Sequence, residues 1–197
     1  MTKARKLKVI SKWGTGIDSI DAKSATRLGI SVCNTPGAFT RPVSDTVLGY
    51  ILCFARKLPW MDRDMREGRW EKRKGATLHE STLGIVGVGN IGKEVARKAR
   101  AFGMQLLGND VVEMPSEFVA EMQINMMPLD ELLSQADYIT LNCTRSRTSY
   151  HIIDAAALKS MKSSAFLINT ARGGLVDEDA LVEVLGMDQL AGAALDV

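Results

Sequence analysis

Short apolar runs alternate with segments of helical periodicity along most of the chain. The apolar runs are four or five residues long, which suits strands buried on both faces of a sheet. The segments between them place apolar residues three and four positions apart, as in a helix with one buried face. Strands separated by helices predict right-handed crossovers and a parallel sheet covered on both sides, so the predicted fold class is α/β.

A polar segment at residues 60–81 divides the predicted elements into two series. Asp21 is suited to cap the first helix, and Pro59 is predicted to stop the second. The polar segment carries Trp60 and Trp70 among charges and has no core of its own, so it either frays in solvent or lies across a partner surface. An acidic stretch after residue 108 is predicted to be loose. The predicted strands are 7–10, 30–33, 83–86, 104–108, 138–142, 165–169 and 191–195, and the predicted helices are 21–28, 43–58, 91–102, 129–136, 154–161 and 177–185.

Composition narrows the possible partners. The 197 residues are 46% hydrophobic with a net charge of only +2, which suits a core of one domain or one and a half. There is no basic stripe, so we do not expect nucleic acid as a partner. The longest apolar run, residues 47–55, is too short to cross a bilayer, and no signal peptide is evident, so the expected location is cytoplasmic without a membrane. The three cysteines are far apart in sequence and there are only two histidines, so we expect neither a metal site nor a disulfide framework.

The stretch GVGNIG lies between a predicted strand and a predicted helix. Gly87 permits the tight turn, Gly89 lets the backbone approach a pyrophosphate, and Gly92 lets the helix pack closely on the strand. The free amides and the dipole at the helix start then favour an anion. The alternative is a tight turn with no ligand, but the strand, glycines and helix stand in the register that dinucleotide binding requires.

A carboxylate follows the next predicted strand at Asp110, about twenty residues after the glycines, where the dinucleotide fingerprint places an acid. Such a carboxylate accepts a hydrogen bond from a ribose 2′-hydroxyl and repels a 2′-phosphate. Residues 111–113 are Val-Val-Glu and offer no arginine to a phosphate. The sequence therefore favours NAD over NADP.

An arginine lies on a turn at the end of another predicted buried strand. Arg172 is followed by Gly173 and Gly174, which allow the backbone to turn sharply. A guanidinium in the crevice at the carboxyl end of the sheet can grip a carboxylate with two parallel hydrogen bonds. From spacing alone, a surface arginine that caps a carbonyl is an equally good interpretation.

Several motifs together carry a resemblance that covers the chain from about residue 7 to its end. They are KWGTGIDSID, NTPGAFTRPVSD, GIVGVGNIG, INTARGGLVDEDAL and GAALDV. They resemble the D-isomer-specific 2-hydroxyacid dehydrogenases, and most of all the members that act on 3-phosphoglycerate in serine biosynthesis. The resemblance implies a Rossmann-type doubly wound sheet, NAD as cofactor, and oxidation or reduction of a small D-2-hydroxy acid or its 2-keto acid.

The resemblance also implies roles for individual residues. Arg172 is expected to bind the substrate carboxylate and polarise the reacting carbonyl, with amides near the hinge also meeting that carboxylate. Asp196 is expected to reach the nicotinamide end, and Cys143 to lie beside the adenine pocket. The implied cofactor-binding set is Thr15, Gly87, Gly89, Asn90, Ile91, Gly92, Asp110, Cys143, Thr170, Ala171, Arg172 and Asp196, and the implied substrate-binding set is Gly14, Thr15, Gly16 and Arg172.

Departures from the family pattern lead us to expect a fragment. In the family a histidine takes the hydroxyl proton and a glutamate orients it, and both are expected beyond the motif ALDV. Neither is found in this chain, and most of the lobe that closes over the substrate is also missing, so we expect a chain truncated at both ends and inactive alone. His79 and His151 are expected to be structural. Asn142 replaces a common histidine, and residues 144–145 replace a common proline-leucine pair.

The same resemblance divides the chain and leaves other functions open. Residues 1–36 are assigned to the end of the substrate domain and the hinge, 37–81 to a connecting helix and dimerisation arm, and 82–197 to an incomplete NAD-binding domain. A homodimer through residues 43–81 is expected. The alternatives are a non-enzymatic NAD-sensing protein similar to the corepressors of this fold, and a truncated product that folds without chemistry.

Overall fold

The computed structural model describes residue 4 and residues 6–197. Two compact units divide the chain between Pro42 and Val43. In the first unit, the strands β1 (Val9–Ser11) and β2 (Ser31–Cys33) pair in parallel, with the helix α1 (Ala22–Arg27) between them. The Asp21 side chain accepts a hydrogen bond from the Ser24 amide at 2.9 Å, which confirms the predicted cap.

A long helix, α2 (Thr40–Arg56), runs across the boundary between the units. It does not stop at Pro59, as the sequence predicted, but at Arg56, where Lys57 adopts a left-handed conformation with φ 57°. Pro59 instead lies in the first turn of a second helix, α3 (Leu58–Arg66). A proline lacks an amide hydrogen, and the first turn needs none, so it serves here as a helix start rather than a stop.

The polar segment after α2 has an ionic centre that the sequence pattern did not indicate. Asp64 on α3 is only 1% exposed. Its Oδ1 accepts from Arg69 at 2.6 Å, and its Oδ2 accepts from Arg73. These bonds fold the chain after α3 back onto the helix, so the segment is ordered by charge rather than by an apolar core.

The second unit is built on a six-stranded parallel sheet, which confirms the Rossmann-type prediction. Its strand order is β5-β4-β3-β6-β7-β8, so the chain moves outward on one side of β3 and then returns to continue on the other side. The strands are β3 (Thr82–Val86), β4 (Gln105–Asn109), β5 (Ile124–Met126), β6 (Tyr138–Leu141), β7 (Phe166–Asn169) and β8 (Gly192–Leu195), and the helices are α4 (Asn90–Ala101), α5 (Ser116–Met122), α6 (Leu129–Gln135), α7 (Ala155–Ser160) and α8 (Glu178–Gly186).

Two helices and one strand were not predicted from the sequence, and the first of them is α3. The acidic stretch predicted to be loose contains α5 and the edge strand β5. Strand β5 has only three residues and pairs with β4 alone, so its pattern is too short to be distinguished from a loop. Helix α5 has no side-chain cap at its start and is held by Phe118 and Met122, which are buried in the core.

The core lies in two layers, one on each face of the sheet. Alternate residues of the strands enter different layers, since side chains of a strand point to opposite faces. On β7, Ile168 belongs to the same core layer as Val95 of α4 and Ile51 of α2, whereas Leu167 belongs to the layer that contains Leu132 of α6. The candidate site residues of the second unit lie after the carboxyl ends of the strands and in the first turn of α4.

Membrane-spanning helices and metal-ligand clusters are both absent from the described part of the chain. None of the helices there is both long and apolar enough to cross a membrane. No group of three or more metal-ligating side chains comes together there.

The buried carboxylate of Asp64 gives a pH-dependent prediction. Hydrogen bonds from Arg73 and then Arg69 lower the pKa of Asp64 from 3.8 to about 2. Because the folded-state pKa is lowered, the stabilisation is complete above about pH 4 and is lost as the pH falls towards 2. We expect Asp64→Asn to lower the melting temperature at pH 7 by on the order of 5 °C, with a gap to the wild type that narrows between pH 4 and pH 2.

Asp62→Asn is the matched control for this measurement. Asp62 pairs with Arg66 at 2.8 Å, but both side chains are mostly exposed, so the change should move the melting temperature by less than about 1 °C. Thermal unfolding by circular dichroism across this pH range measures both variants. A gap for Asp64→Asn that does not change with pH would contradict the assignment of its effect to the carboxylate.

Candidate functional site

The glycine loop lies where the sheet changes direction, at the carboxyl ends of β3 and β6. Gly87 has a φ of 90°, and a Cβ there would lie 2.5 Å from the backbone nitrogen of Cys143. A Cβ on Gly92 would collide with the carbonyl oxygen of Gly87. These two glycines are therefore required by the fold itself, because they allow β3, the loop after β6 and α4 to approach one another.

Gly89 is different, because the fold does not require it. Its φ of −73° suits any residue, and a Cβ there would meet no described atom within 4 Å. The space in front of this residue opens onto the first turn of α4, where the amides of Asn90 and Ile91 have no acceptor within the helix. A group that approaches the backbone here, such as a diphosphate, explains the glycine where packing does not.

Asp110 lies beside the glycine loop, although twenty residues separate them in sequence. Its Oδ2 accepts from the Val88 amide at 2.6 Å, and its Oδ1 accepts from the Val112 amide at 2.9 Å. Two backbone bonds therefore fix the plane of the carboxylate, while each oxygen keeps a second lone pair. This geometry suits a carboxylate that accepts from a sugar hydroxyl next to a loop that holds a diphosphate.

Cys143 borders the same place from β6. Burial raises the pKa of its thiol, and the negative charge of Asp110 adds to the rise. The group is therefore a neutral thiol at pH 7, suited to contact with an uncharged surface rather than to nucleophilic attack. It is a free thiol, as are Cys33 and Cys53.

The arginine turn is held by a residue that sequence reasoning missed. Asn169, at the end of β7, is 1% exposed. Its Oδ1 accepts from the Ala171 amide at 3.0 Å, and its Nδ2 donates to the Arg172 carbonyl at 2.8 Å. The guanidinium of Arg172 is half-buried, and its Nη1 donates to the Ala171 carbonyl at 2.5 Å. In the sequence, this role of Asn169 is indicated only by an amide side chain at the end of an otherwise apolar strand.

Thr170 lies on the same turn and has an orphaned polar atom. Its Oγ1 is buried and has no hydrogen-bond partner among the described residues. A buried hydroxyl without a partner costs about 1–3 kcal/mol, so a ligand that supplies the missing bond is the simplest account. The atom lies at the carboxyl edge of the sheet, as the glycine loop does.

The next strand brings a second carboxylate to this edge. Asp196 directly follows β8 and is exposed. Its amide donates to the Asn169 carbonyl at 3.0 Å, so the backbone after β8 is tied to the end of β7. Asn169 thus holds both the arginine turn and the backbone that carries Asp196.

The remaining predicted residues belong to the first unit. The Gly14 amide donates to the Thr35 hydroxyl at 3.0 Å, and the Thr15 carbonyl accepts from the Asn34 side chain at 2.7 Å. The turn at Gly14, Thr15 and Gly16 is therefore held by the segment after β2.

The two histidines have neighbours in the second unit. His79 is exposed, and its Nδ1 would lie 2.5 Å from a Cβ on Gly103, at the turn after α4. The ring of His151 stacks on Tyr150 with centroids 3.9 Å apart, and its Nδ1 is 3.9 Å from Oδ2 of Asp177.

The second unit therefore brings eleven of the predicted residues to one edge of its sheet. An open cradle at Gly89, a fixed carboxylate at Asp110 and the orphaned hydroxyl of Thr170 fit a dinucleotide laid along this edge. The full set is Gly87, Gly89, Asn90, Ile91, Gly92, Asp110, Cys143, Thr170, Ala171, Arg172 and Asp196.

Comparison with known proteins agrees with this geometry. The family model described as "D-isomer specific 2-hydroxyacid dehydrogenase, NAD binding domain" matches residues 48–197. The chain is 40% identical over 198 residues to a D-3-phosphoglycerate dehydrogenase of Methanocaldococcus jannaschii, covering 99% of this chain and 38% of that protein. It is 38% identical over 200 residues to a glyoxylate reductase of Korarchaeum cryptofilum, covering 98% of this chain and 60% of that protein.

A solved structure extends the similarity to three dimensions. A D-lactate dehydrogenase from Aquifex aeolicus, complexed with NAD and lactic acid, superposes with a TM-score of 0.91 at 32% identity, covering 100% of this chain and 59% of that one. The chain thus spans between 38% and 60% of the length of these three proteins. It belongs to the D-isomer specific 2-hydroxyacid dehydrogenases, and its larger part is their NAD binding domain.

Proposed function

We propose that this chain is the cofactor-holding part of an enzyme that oxidises a small D-2-hydroxy acid or reduces the corresponding 2-keto acid. The observation that carries the proposal is the open cradle at Gly89, which neither backbone strain nor packing explains. Bound NAD supplies the hydride acceptor or donor at its nicotinamide ring. The remaining chemistry belongs to side chains that hold the two reactants in place.

In this arrangement the dinucleotide lies along the carboxyl edge of the sheet. The amides of Asn90 and Ile91 hold the pyrophosphate at the start of α4, where the helix dipole contributes about 0.3–1 kcal/mol. Asp110 accepts from the adenosine ribose, with the Cys143 thiol beside the adenine. On the other side of β3, the turn residues Thr170 and Ala171 follow the cofactor towards the nicotinamide, and Asp196 lies at that end.

Arg172 is the catalytic residue that this chain contributes. Its guanidinium binds the substrate carboxylate with two parallel bonds and draws electron density from the reacting carbonyl, which stabilises charge in the transition state. The Asn169 bonds to the turn fix where that guanidinium can reach.

For the substrate we favour 3-phosphoglycerate. Support comes from the 40% identity to the Methanocaldococcus jannaschii protein named for that substrate, over 99% of this chain. Relatives named for glyoxylate and lactate are 38% and 32% identical to this chain. Arg172 is therefore proposed to bind the carboxylate that all these acids share. The substrate preference therefore depends on groups other than this arginine.

We also propose a homodimer formed through residues 43–81. Trp70 is 81% exposed, and Met61 and Met65 are exposed on the same segment. Asp64 and its two arginines order the segment within one chain, so it can present these apolar side chains without a large loss of entropy on binding. Large exposed side chains of this kind are typical of interface centres.

The cofactor proposal gives a binding prediction. Gly89→Ala should weaken NAD binding at least tenfold, because the new methyl group occupies the cradle, while the melting temperature changes little.

Wild-type protein should bind NADP at least tenfold more weakly than NAD, because Asp110 repels the 2′-phosphate. Isothermal titration calorimetry with both dinucleotides measures these constants.

Gly186→Ala is the matched control. A Cβ at Gly186 also meets nothing within 4 Å, and this residue is at the end of α8, away from the glycine loop. It should leave NAD binding unchanged. Equal NAD affinity in wild-type and Gly89→Ala protein would contradict the proposed position of the pyrophosphate.

The reaction itself is tested in the complete gene product. We expect kcat/KM with NAD to be at least tenfold higher for 3-phosphoglycerate than for lactate, and Arg172→Ala to lower it at least a hundredfold with little change in NAD affinity. Arg147→Ala is the control, because that arginine is exposed on a neighbouring loop. A preference for lactate would contradict the proposed substrate, and inactivity towards every 2-hydroxy acid would contradict the reaction.

The dimer is tested by sedimentation velocity at micromolar concentration. We expect a dimer for the wild type and a shift towards monomer for Trp70→Ala. Trp13→Ala removes a tryptophan that is 83% exposed in the first unit and should leave the dimer intact. A monomeric wild type, or equal dissociation of both variants, would contradict the proposed interface.

A further inference from the structure

A tyrosine of α2 reaches the proposed nicotinamide end of the site. Tyr50 is half-buried against the core layer that covers one face of the sheet. Its hydroxyl donates to Oδ1 of Asp196 at 3.4 Å, across 146 residues of sequence. The bond is long, but it joins a helix of the core to the loop that follows the last strand.

The protonation state of Tyr50 is defined at neutral pH. Burial raises the pKa of Tyr50 above 10, and the charge of Asp196 raises it further. The phenol therefore keeps its proton, and a carboxylate can only accept, so the donor is the tyrosine.

Asp196 is thus held at two points. Its amide donates to the Asn169 carbonyl, which fixes the backbone, and Tyr50 engages one carboxylate oxygen. Without such contacts, the terminal side-chain torsion of an aspartate takes a broad range of values. With Oδ1 engaged by Tyr50, the rotation of the carboxylate plane is restricted.

We propose that Tyr50 is a positioning residue for Asp196, which it orients towards the nicotinamide group of the cofactor. The inference rests on the proposed function, since it assigns a partner to the residue placed at the nicotinamide end. Tyr50 does not touch the reacting atoms itself. It acts by limiting the rotation of the Asp196 carboxylate, which is proposed to face the nicotinamide group.

ADP-ribose is the discriminating probe, because it is NAD without the nicotinamide. We expect Tyr50→Phe to weaken NAD binding about three- to tenfold, the range of one hydrogen bond, and to change ADP-ribose binding by less than about twofold. A role in packing alone would weaken both ligands equally. Isothermal titration calorimetry of both ligands, together with the melting temperature, separates these outcomes.

A double-mutant cycle tests the route through Asp196. Asp196→Ala should weaken NAD binding but not ADP-ribose binding, and adding Tyr50→Phe to it should cause no further loss. Tyr138→Phe is the matched control, since that ring lies at the start of β6, at the opposite edge of the sheet. It should leave both affinities unchanged.

Three results would overturn the inference while the proposed function stands. They are unchanged NAD affinity in Tyr50→Phe, equal loss of NAD and ADP-ribose affinity, and a loss that persists in the Asp196→Ala background. Failure of the wild-type protein to bind either ligand would overturn the proposed function, and the inference with it.

Discussion

The close approach of two loops at the centre of the sheet is the constraint on which the rest of the second unit depends. Gly87 lets β3 turn against the backbone that follows β6, and Gly92 lets α4 pack directly over that turn. Side chains at either position would separate the elements. Because they pack this closely, the first turn of α4 faces the sheet edge at the point where the strand order reverses, and Asp110 can bond across to the loop. The cradle at Gly89 follows from this packing.

The other half of the edge is organised by Asn169. One buried amide side chain holds the arginine turn through two hydrogen bonds, and the carbonyl of the same residue anchors the backbone at Asp196. In the proposed function, this strand end presents Arg172 to the substrate carboxylate and Asp196 to the amide group of the cofactor. The two halves of the edge meet at β3 and β6, where the proposal places the diphosphate.

Prediction from the sequence was most accurate where the pattern was local. The strands predicted at residues 83–86 and 165–169, the Asp21 cap and the glycine loop were each indicated by neighbouring residues. Pro59 was misjudged because a proline serves equally as the end of one helix or the first turn of the next. Asp64, Asn169 and Tyr50 were missed because their partners are distant in sequence or are backbone groups, and no local pattern records them.

The central claim is that a diphosphate binds against the amides at the start of α4 while Asp110 holds the adenosine ribose. A crystal structure of the protein with NAD tests it most directly. The account predicts pyrophosphate oxygens within hydrogen-bonding distance of the Asn90 and Ile91 amides and a ribose hydroxyl at the Asp110 carboxylate. A dinucleotide bound at any other edge of the sheet, with the glycine loop ordered and vacant, would contradict it.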